Sequence, residues 1–178
     1  MNDKIYYTGI GSREIPDVYK EIVRYIATDL AMKGCVLRSG GADGSDLNFE
    51  FGCDAGNGEK EIYLPWKGFN ESQSKLIVSK KEAFDIAKKY HPAWNKLTQG
   101  ARKLHARNVH QVLGMNLDRP SNFVICYTKD GKGQGGTGQA LRIAKAYGIL
   151  IFDIGCYTDL NQLMKNLGKW TEERLTYA

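Results

Sequence analysis

Cys35-Val36-Leu37, followed within two residues by Ser39-Gly40-Gly41-Ala42-Asp43-Gly44-Ser45-Asp46, is the stretch that decides the fold. A short apolar run stops at Ser39-Gly40-Gly41, and Leu47, Phe49, Phe51 and Ala55 then suggest a helix that reaches Gly56. Buried strand, glycine turn, helix: that order is the unit from which parallel α/β sheets are built. The unit has a precedent upstream. Ile5-Tyr6-Tyr7-Thr8 favours a strand, Gly9-Ile10-Gly11-Ser12 breaks it, and from Pro16 the residues Val18, Ile22, Val23, Ile26 and Leu30 recur at helical spacing until Gly34.

Downstream, Ile62-Tyr63-Leu64 closed by Pro65 predicts a third strand. Phe123-Val124-Ile125-Cys126-Tyr127 predicts a fourth, of the continuously apolar kind buried on both faces of a parallel sheet. Between them, residues 67–100 hold a polar loop, a basic helix over 80–90 and the breaker His91-Pro92-Ala93-Trp94, which predicts an insertion lying over the sheet. A helix over 97–113 precedes the fourth strand. After it come a glycine-rich loop at 131–138, a helix over 139–147, a strand over 150–153 and a C-terminal helix near 160–167. The alternation predicts an α/β, Rossmann-like fold: a mostly parallel sheet with helices on both faces, in one domain spanning 1–178.

Composition narrows the class. A chain of 178 residues, 42% hydrophobic and 25% charged, can bury a core without disulfide or metal staples and is neither disordered nor fibrous. Its longest strongly apolar run, 147–152, is far short of the roughly 20 residues that span a bilayer as a helix. Met1-Asn2-Asp3-Lys4-Ile5 leads straight into a strand with no signal-peptide pattern, so a cytoplasmic protein with no membrane partner is expected. Cys35, Cys53, Cys126 and Cys156 form no C-x-x-C pair, and neither they nor His91, His105 and His110 show metal-ligand spacing. They read as reduced thiols, with no metal and no cofactor expected. The net charge of +5 favours polyanionic partners without choosing among them.

Three glycine turns are candidates for chemistry: Gly9-Ile10-Gly11-Ser12-Arg13, the Ser39 to Asp46 stretch, and Gly133-Gln134-Gly135-Gly136-Thr137-Gly138-Gln139. Each is expected after a strand and before a helix, where glycine lets the backbone approach an anion and free N–H groups point at phosphate oxygens. Ser12, Ser39 and Thr137 add hydroxyl donors. No G-x-x-x-x-G-K-[ST] occurs, which argues against a P-loop ATPase. Asp46, Glu50 and Asp54 are four apart and so line one helix face, with Asp46 nearest the second turn. Asp43 and Asp46 have a plain alternative as helix caps. Arg13 and Arg38 flank two of the turns, and Trp66 and Trp94 border the insertion, where an aromatic ring can stack on a base.

Gly11-Ser12-Arg13 and Ser39-Gly40-Gly41-Ala42-Asp43-Gly44-Ser45-Asp46 resemble the G-S-R and S-G-G-A-x-G-x-D motifs of the DprA (Smf) branch of the SLOG superfamily. Leu104-His105-Ala106-Arg107-Asn108 resembles the M-H-x-R-K segment of its LOG branch, and Gly135-Gly136-Thr137-Gly138-Gln139 the G-G-x-G-T loop. The resemblance covers most of the chain outside 67–100. It implies a SLOG-type fold, a bound nucleotide or ADP-ribose-like phosphate ligand, a dimer, and Arg107 and Asn108 in the site. LOG enzymes cleave the base–ribose bond of nucleoside monophosphates with that arginine and a glutamate, and the glutamate position here is Arg142. An arginine there suits an extra phosphate and leaves the carboxylate to come from Asp46 or Glu50. DprA proteins bind single-stranded DNA in recombination, which gives an alternative for Lys75, Lys80, Lys81, Lys88, Lys89 and Lys103.

Overall fold

The computed structural model describes residues 4–78 and 80–176. Six strands form one all-parallel sheet in the order β4-β3-β2-β1-β5-β6. The strands are β1 (Tyr6–Gly11), β2 (Val36–Ser39), β3 (Lys60–Leu64), β4 (Leu76–Ile77), β5 (Phe123–Tyr127) and β6 (Leu150–Asp153). The helices are α1 (Asp17–Met32), α2 (Ser45–Ala55), α3 (Lys81–Lys89), α4 (Gln99–Leu113), α5 (Gly135–Ala146) and α6 (Leu160–Thr176). The architecture is the Rossmann-like α/β fold expected from the alternation of strands and helices.

The period of two along β5 explains why the sheet needs helices on both faces. Phe123, Ile125 and Tyr127 enter one core with residues of α1, α2 and α6, while Val124 and Cys126 enter the other with residues of α3, α4 and α5. All five residues of β5 are buried. In β1, Gly9 leaves room for Phe49 of α2, since a Cβ there would lie 2.6 Å from its ring. Phe49 is thereby fully buried against the strand, a contact of the kind that contributes roughly 1.5–3 kcal/mol.

Four boundaries differ from the sequence reading, each for a tertiary reason. β1 continues through Gly9, Ile10 and Gly11, because pairing with β5 from Gly9↔Ile125 to Gly11↔Tyr127 extends a central strand through what local chemistry marks as a turn. Residues 67–100 also contribute β4, two residues long, which adds to the sheet edge beside β3. α5 begins at Gly135 rather than at 139, so the glycines of the third turn form its first turn. α6 extends to Thr176, with Leu167 and Thr171 buried beyond its first two turns and Trp170 packed on Phe123 and Phe152. Among the described residues, no helix is long and apolar enough to cross a membrane.

Candidate functional site

From β1 the chain moves outward through β2, β3 and β4, whereas β5 and β6 lie on the other side of β1. This reversal between β1 and β5 is the place in an open parallel sheet where loops diverge and leave a crevice at the carboxyl ends of the strands. A cleft of about 530 Å³ lies there, lined by the end of β1, the start of α2, one face of α4 and the start of α5. Its size suits a small organic ligand.

α4 supplies the long wall. Leu104, Arg107, Asn108 and Gln111 fall three, four and seven residues apart, so they share a helix face, and all four line the cleft. Arg107 is 5% exposed and donates through Nη1 to the Gly40 carbonyl and through Nε to Asn108 Oδ1 at 3.2 Å. Asn108 Nδ2 donates in turn to the Gly136 carbonyl at 3.1 Å and to Gln139 Oε1 at 3.2 Å. These bonds tie the second glycine turn to the third across the cleft floor.

Asp46, in the first turn of α2, is buried beside them, its Oδ2 3.9 Å from Arg107 Nη1. Burial pushes its carboxyl up to about 6, against the opposing pull of Arg107 and of the main-chain amides of Ala42, Gly11 and Gly40. Those amides therefore face the chain's own carboxylate. Two further corner amides are engaged: Ser12 N–H donates to Tyr127 O at 2.9 Å and Ser45 N–H to Ser12 O at 3.0 Å. The first two turns are thus linked to each other and to Asp46 through part of their amides.

The third turn is different. Gln134 precedes α5 without a side-chain cap, and the amides of Gly135, Gly136 and Thr137 meet no acceptor among the described residues. All three residues line the cleft. The turn is anchored from below: Gly133 N–H donates to Thr128 Oγ1 at 3.0 Å, and the Thr128 hydroxyl and amide both donate to Asp153. Gly138 is required here because a Cβ would overlap the Gly133 carbonyl.

Charge at the cleft is mainly positive. Arg13 and Lys129, exposed on the loops after β1 and β5, join Arg107, and Asp46 is the one acidic group among the described lining residues. His105 also lines the cleft; burial lowers its pKa, so the ring is neutral at pH 7, and its Nδ1 is unpartnered among the described residues. Gln111 is 1% exposed and its Nε2 likewise has no partner.

Of the residues chosen from sequence, Gly11, Ser12, Arg13, Asp46, Arg107, Asn108, Gly135, Gly136 and Thr137 meet around the cleft. Others lie outside its lining. Glu50 is one turn further along α2 and pairs with Lys60 Nζ at 2.9 Å, as does Asp54 at 2.6 Å, so their stripe is an ion-paired face. The Ser39 hydroxyl donates to Gly9 O at 2.7 Å, a strap between neighbouring strands. Gly40 packs behind Arg107, and Gly41, at φ +63°, lies against Ile62 and Leu64. Asp43 is exposed and accepts from Asn70 Nδ2 at 3.0 Å. Gln139 is buried behind Asn108. Arg142 donates through Nε to Tyr90 O at 2.9 Å on the exposed side of α5, a placement set by its helix face rather than by its distance from the glycines. Arg38 is buried in a separate network with Glu61 and Tyr6. Trp66 stacks edge-on with Phe69, and Trp94 faces His91; neither ring borders the cleft.

Sequence reasoning missed Gln111, His105, Thr128 and Lys129. Gln111 carried a usable signal, four residues after Arg107 on the same face. Thr128 and Lys129 directly follow a fully apolar strand, at the end where ligands collect.

The sequence matches no protein-family model and no curated protein. Two solved structures share the fold. DNA processing protein A from Helicobacter pylori, described for its single-stranded DNA binding mode, aligns with a TM-score of 0.58 and 20% identity over 91% of this chain and 72% of that one. DNA processing protein A (DprA) from Streptococcus pneumoniae aligns with a TM-score of 0.51 and 16% identity, over 84% of this chain and half of its own length. At these identities the likeness is one of fold, and this chain has the Rossmann-like α/β architecture found in DNA processing protein A.

Proposed function

We propose that this protein binds a nucleotide or ADP-ribose-like ligand in the cleft between β1 and β5, with a phosphate at the start of α5. The observation that carries the reading is the set of acceptor-free amides at Gly135, Gly136 and Thr137, opening into a nucleotide-sized cleft. Such amides, at the positive end of a helix of 12 residues, favour an anion. Arg13 and Lys129 strengthen the local potential, while Ile10, Leu104 and Ala140 offer an apolar wall for the base. Thermal unfolding with nucleoside monophosphates and diphosphates tests this. Saturating ligand should stabilise the fold by about 3 kcal/mol at a hundredfold excess over Kd, and the parent nucleosides should do much less. Gly136→Asp, which puts a carboxylate at the phosphate position, should abolish the shift. Absence of any shift with phosphorylated ligands at millimolar concentration would sink the proposal.

Cleavage of the ligand's N-glycosidic bond is the catalytic extension of this reading, supported by the LOG-like segment. Asp46 and Arg107 would carry it. An ionised Asp46 is placed to stabilise an oxocarbenium-like sugar, with Arg107 beside it. Glu50, held by Lys60, takes no part. Free base should appear from nucleoside monophosphates with wild type and disappear with Asp46→Asn; no release with wild type means the protein binds without cleaving.

The fold likeness to a protein described for binding single-stranded DNA favours a second reading, in which exposed Lys75, Lys81, Lys88 and Lys89 track a phosphate backbone. Strong oligonucleotide binding that falls steeply with salt, with no response to mononucleotides, would select it.

A further inference from the structure

The α3 segment leans on the two helices that wall the cleft, and its hold is light. α3 is nine residues long, too short to be stable alone, and its buried residues are Ala83 and Ala87, which enter the core shared with α4 and α5. Two hydrogen bonds from α5 fasten its end: Gln139 Nε2 donates to Ala87 O at 3.4 Å and Arg142 Nε to Tyr90 O at 2.9 Å. The chain then turns at His91-Pro92 and lays two rings against α4. His91 meets His105, with centroids 4.4 Å apart and planes at 64°. Trp94 lies 6.3 Å from His91, beneath the Arg102 guanidinium. His105 also belongs to the cleft lining, so this contact joins the segment to the cleft.

Charge around the pair has one sign. α4 and α5 contain no acidic residue, and neither does the stretch 90–98. The cations are Arg102 and Arg107 on α4, Arg142 on α5, and Lys88 and Lys89 at the end of α3. The acidic residues of α3, Glu82 and Asp85, are exposed, and Asp46 of the cleft faces Arg107. His91 Nδ1 accepts from the Ala93 amide at 3.1 Å, so a proton on that nitrogen breaks the bond. His105 is held below its usual 6.5 by burial first, then by His91, Arg142 and Arg107, with only the neutral Gln139 acting the other way. We propose that His91 and His105 form an acid-sensitive clasp, which holds α3 against the helices of the cleft while both rings are neutral and releases it when they become charged. The released segment binds protons more readily than the closed one, so closure is complete above about 6.5 and is lost as pH falls below it. The clasp works whatever the cleft binds.

Amide hydrogen exchange of the full chain at pH 7.5 and at pH 5, corrected for the intrinsic effect of pH on exchange, tests this. Each proton taken up on opening shifts the equilibrium by up to roughly tenfold per pH unit. Protection of residues 82–90 should therefore fall by about tenfold or more at pH 5, while β1 and β5 keep theirs. In His105→Gln, polar and not titratable, and in His91→Phe, a ring that carries no proton, the fall should be much smaller. The histidine ring resonances of wild type, followed by NMR across the same range, give a reading that needs no variant. His105 should titrate below 6.5, in step with the loss of α3 protection. Equal protection at the two pH values, a loss shared evenly with β1 and β5, or an undiminished fall in both variants overturns the inference. So does a His105 ring that titrates at or above 6.5.

Discussion

Asp46 has to be considered together with the amides around it. Its folded pKa, raised by burial from 3.8 to about 6, means that the folded chain binds a proton more tightly than the unfolded chain between those values. This contribution therefore weakens stability as pH rises through that window and is constant above it. In Asp46→Asn the slope is absent. The difference in unfolding free energy between the two proteins, from urea titrations at pH 4 to 7, should change by on the order of 2–3 kcal/mol. The other groups facing the cleft are common to both proteins, so a flat difference would mean that Asp46 is not buried as described. Gly40 makes a second test. Gly40→Ala drives a methyl into Arg107 and Gln111, and the expected cost is about 1–3 kcal/mol with loss of ligand binding. An alanine variant as stable as wild type in urea would contradict the packing of α4 on this turn.

α5 shows how an element can form against its own composition. Gly135, Gly136 and Gly138 lie in its first four residues, and each glycine costs roughly 1 kcal/mol in a helix relative to alanine. The turn is fixed from outside, by Asp153 holding Thr128 and Thr128 holding Gly133. Thr128→Val keeps the shape of the side chain but cuts both hydroxyl bonds. The expected loss of stability is about 1–3 kcal/mol, accompanied by weaker phosphate binding, since the amides of 135–137 lose their fixed aim. Urea unfolding and phosphate titration of the same variant check the two halves separately, and unchanged phosphate affinity would separate the anchor from the site.

For the molecule as a whole, the sheet order puts loops from β1 and β5 beside each other and sends α4 and α5 to the same face. The result is a confined cleft with a cationic mouth on a chain of net charge +5. Salt separates the two functional readings at this scale. A mononucleotide in the cleft should lose affinity gently with ionic strength, whereas a strand crossing several exposed lysines should show a log–log slope near −0.7 for each phosphate neutralised. Fluorescence titrations at several salt concentrations, with a mononucleotide and an oligonucleotide, distinguish these outcomes.

Strand-turn-helix order, the parallel sheet and somewhat under half of the residues now seen around the cleft were legible in the chain itself, because apolar periodicity and glycine turns are local signals. Arg107 and Asn108 came from motif resemblance, and Gln111 lay one helical turn further on the same face. The tertiary structure alone decided which glycine turns remain open. Asp46 meets the first two from within, through contacts between residues 11, 40 and 46 that no local window contains, while the consecutive amides of residues 135–137 at the start of α5 meet no acceptor among the described residues. The same holds for Glu50 and Arg142: spacing puts them near the motifs along the chain, but the direction of a side chain from its helix, and the partners waiting there, turn one to Lys60 and the other to Tyr90.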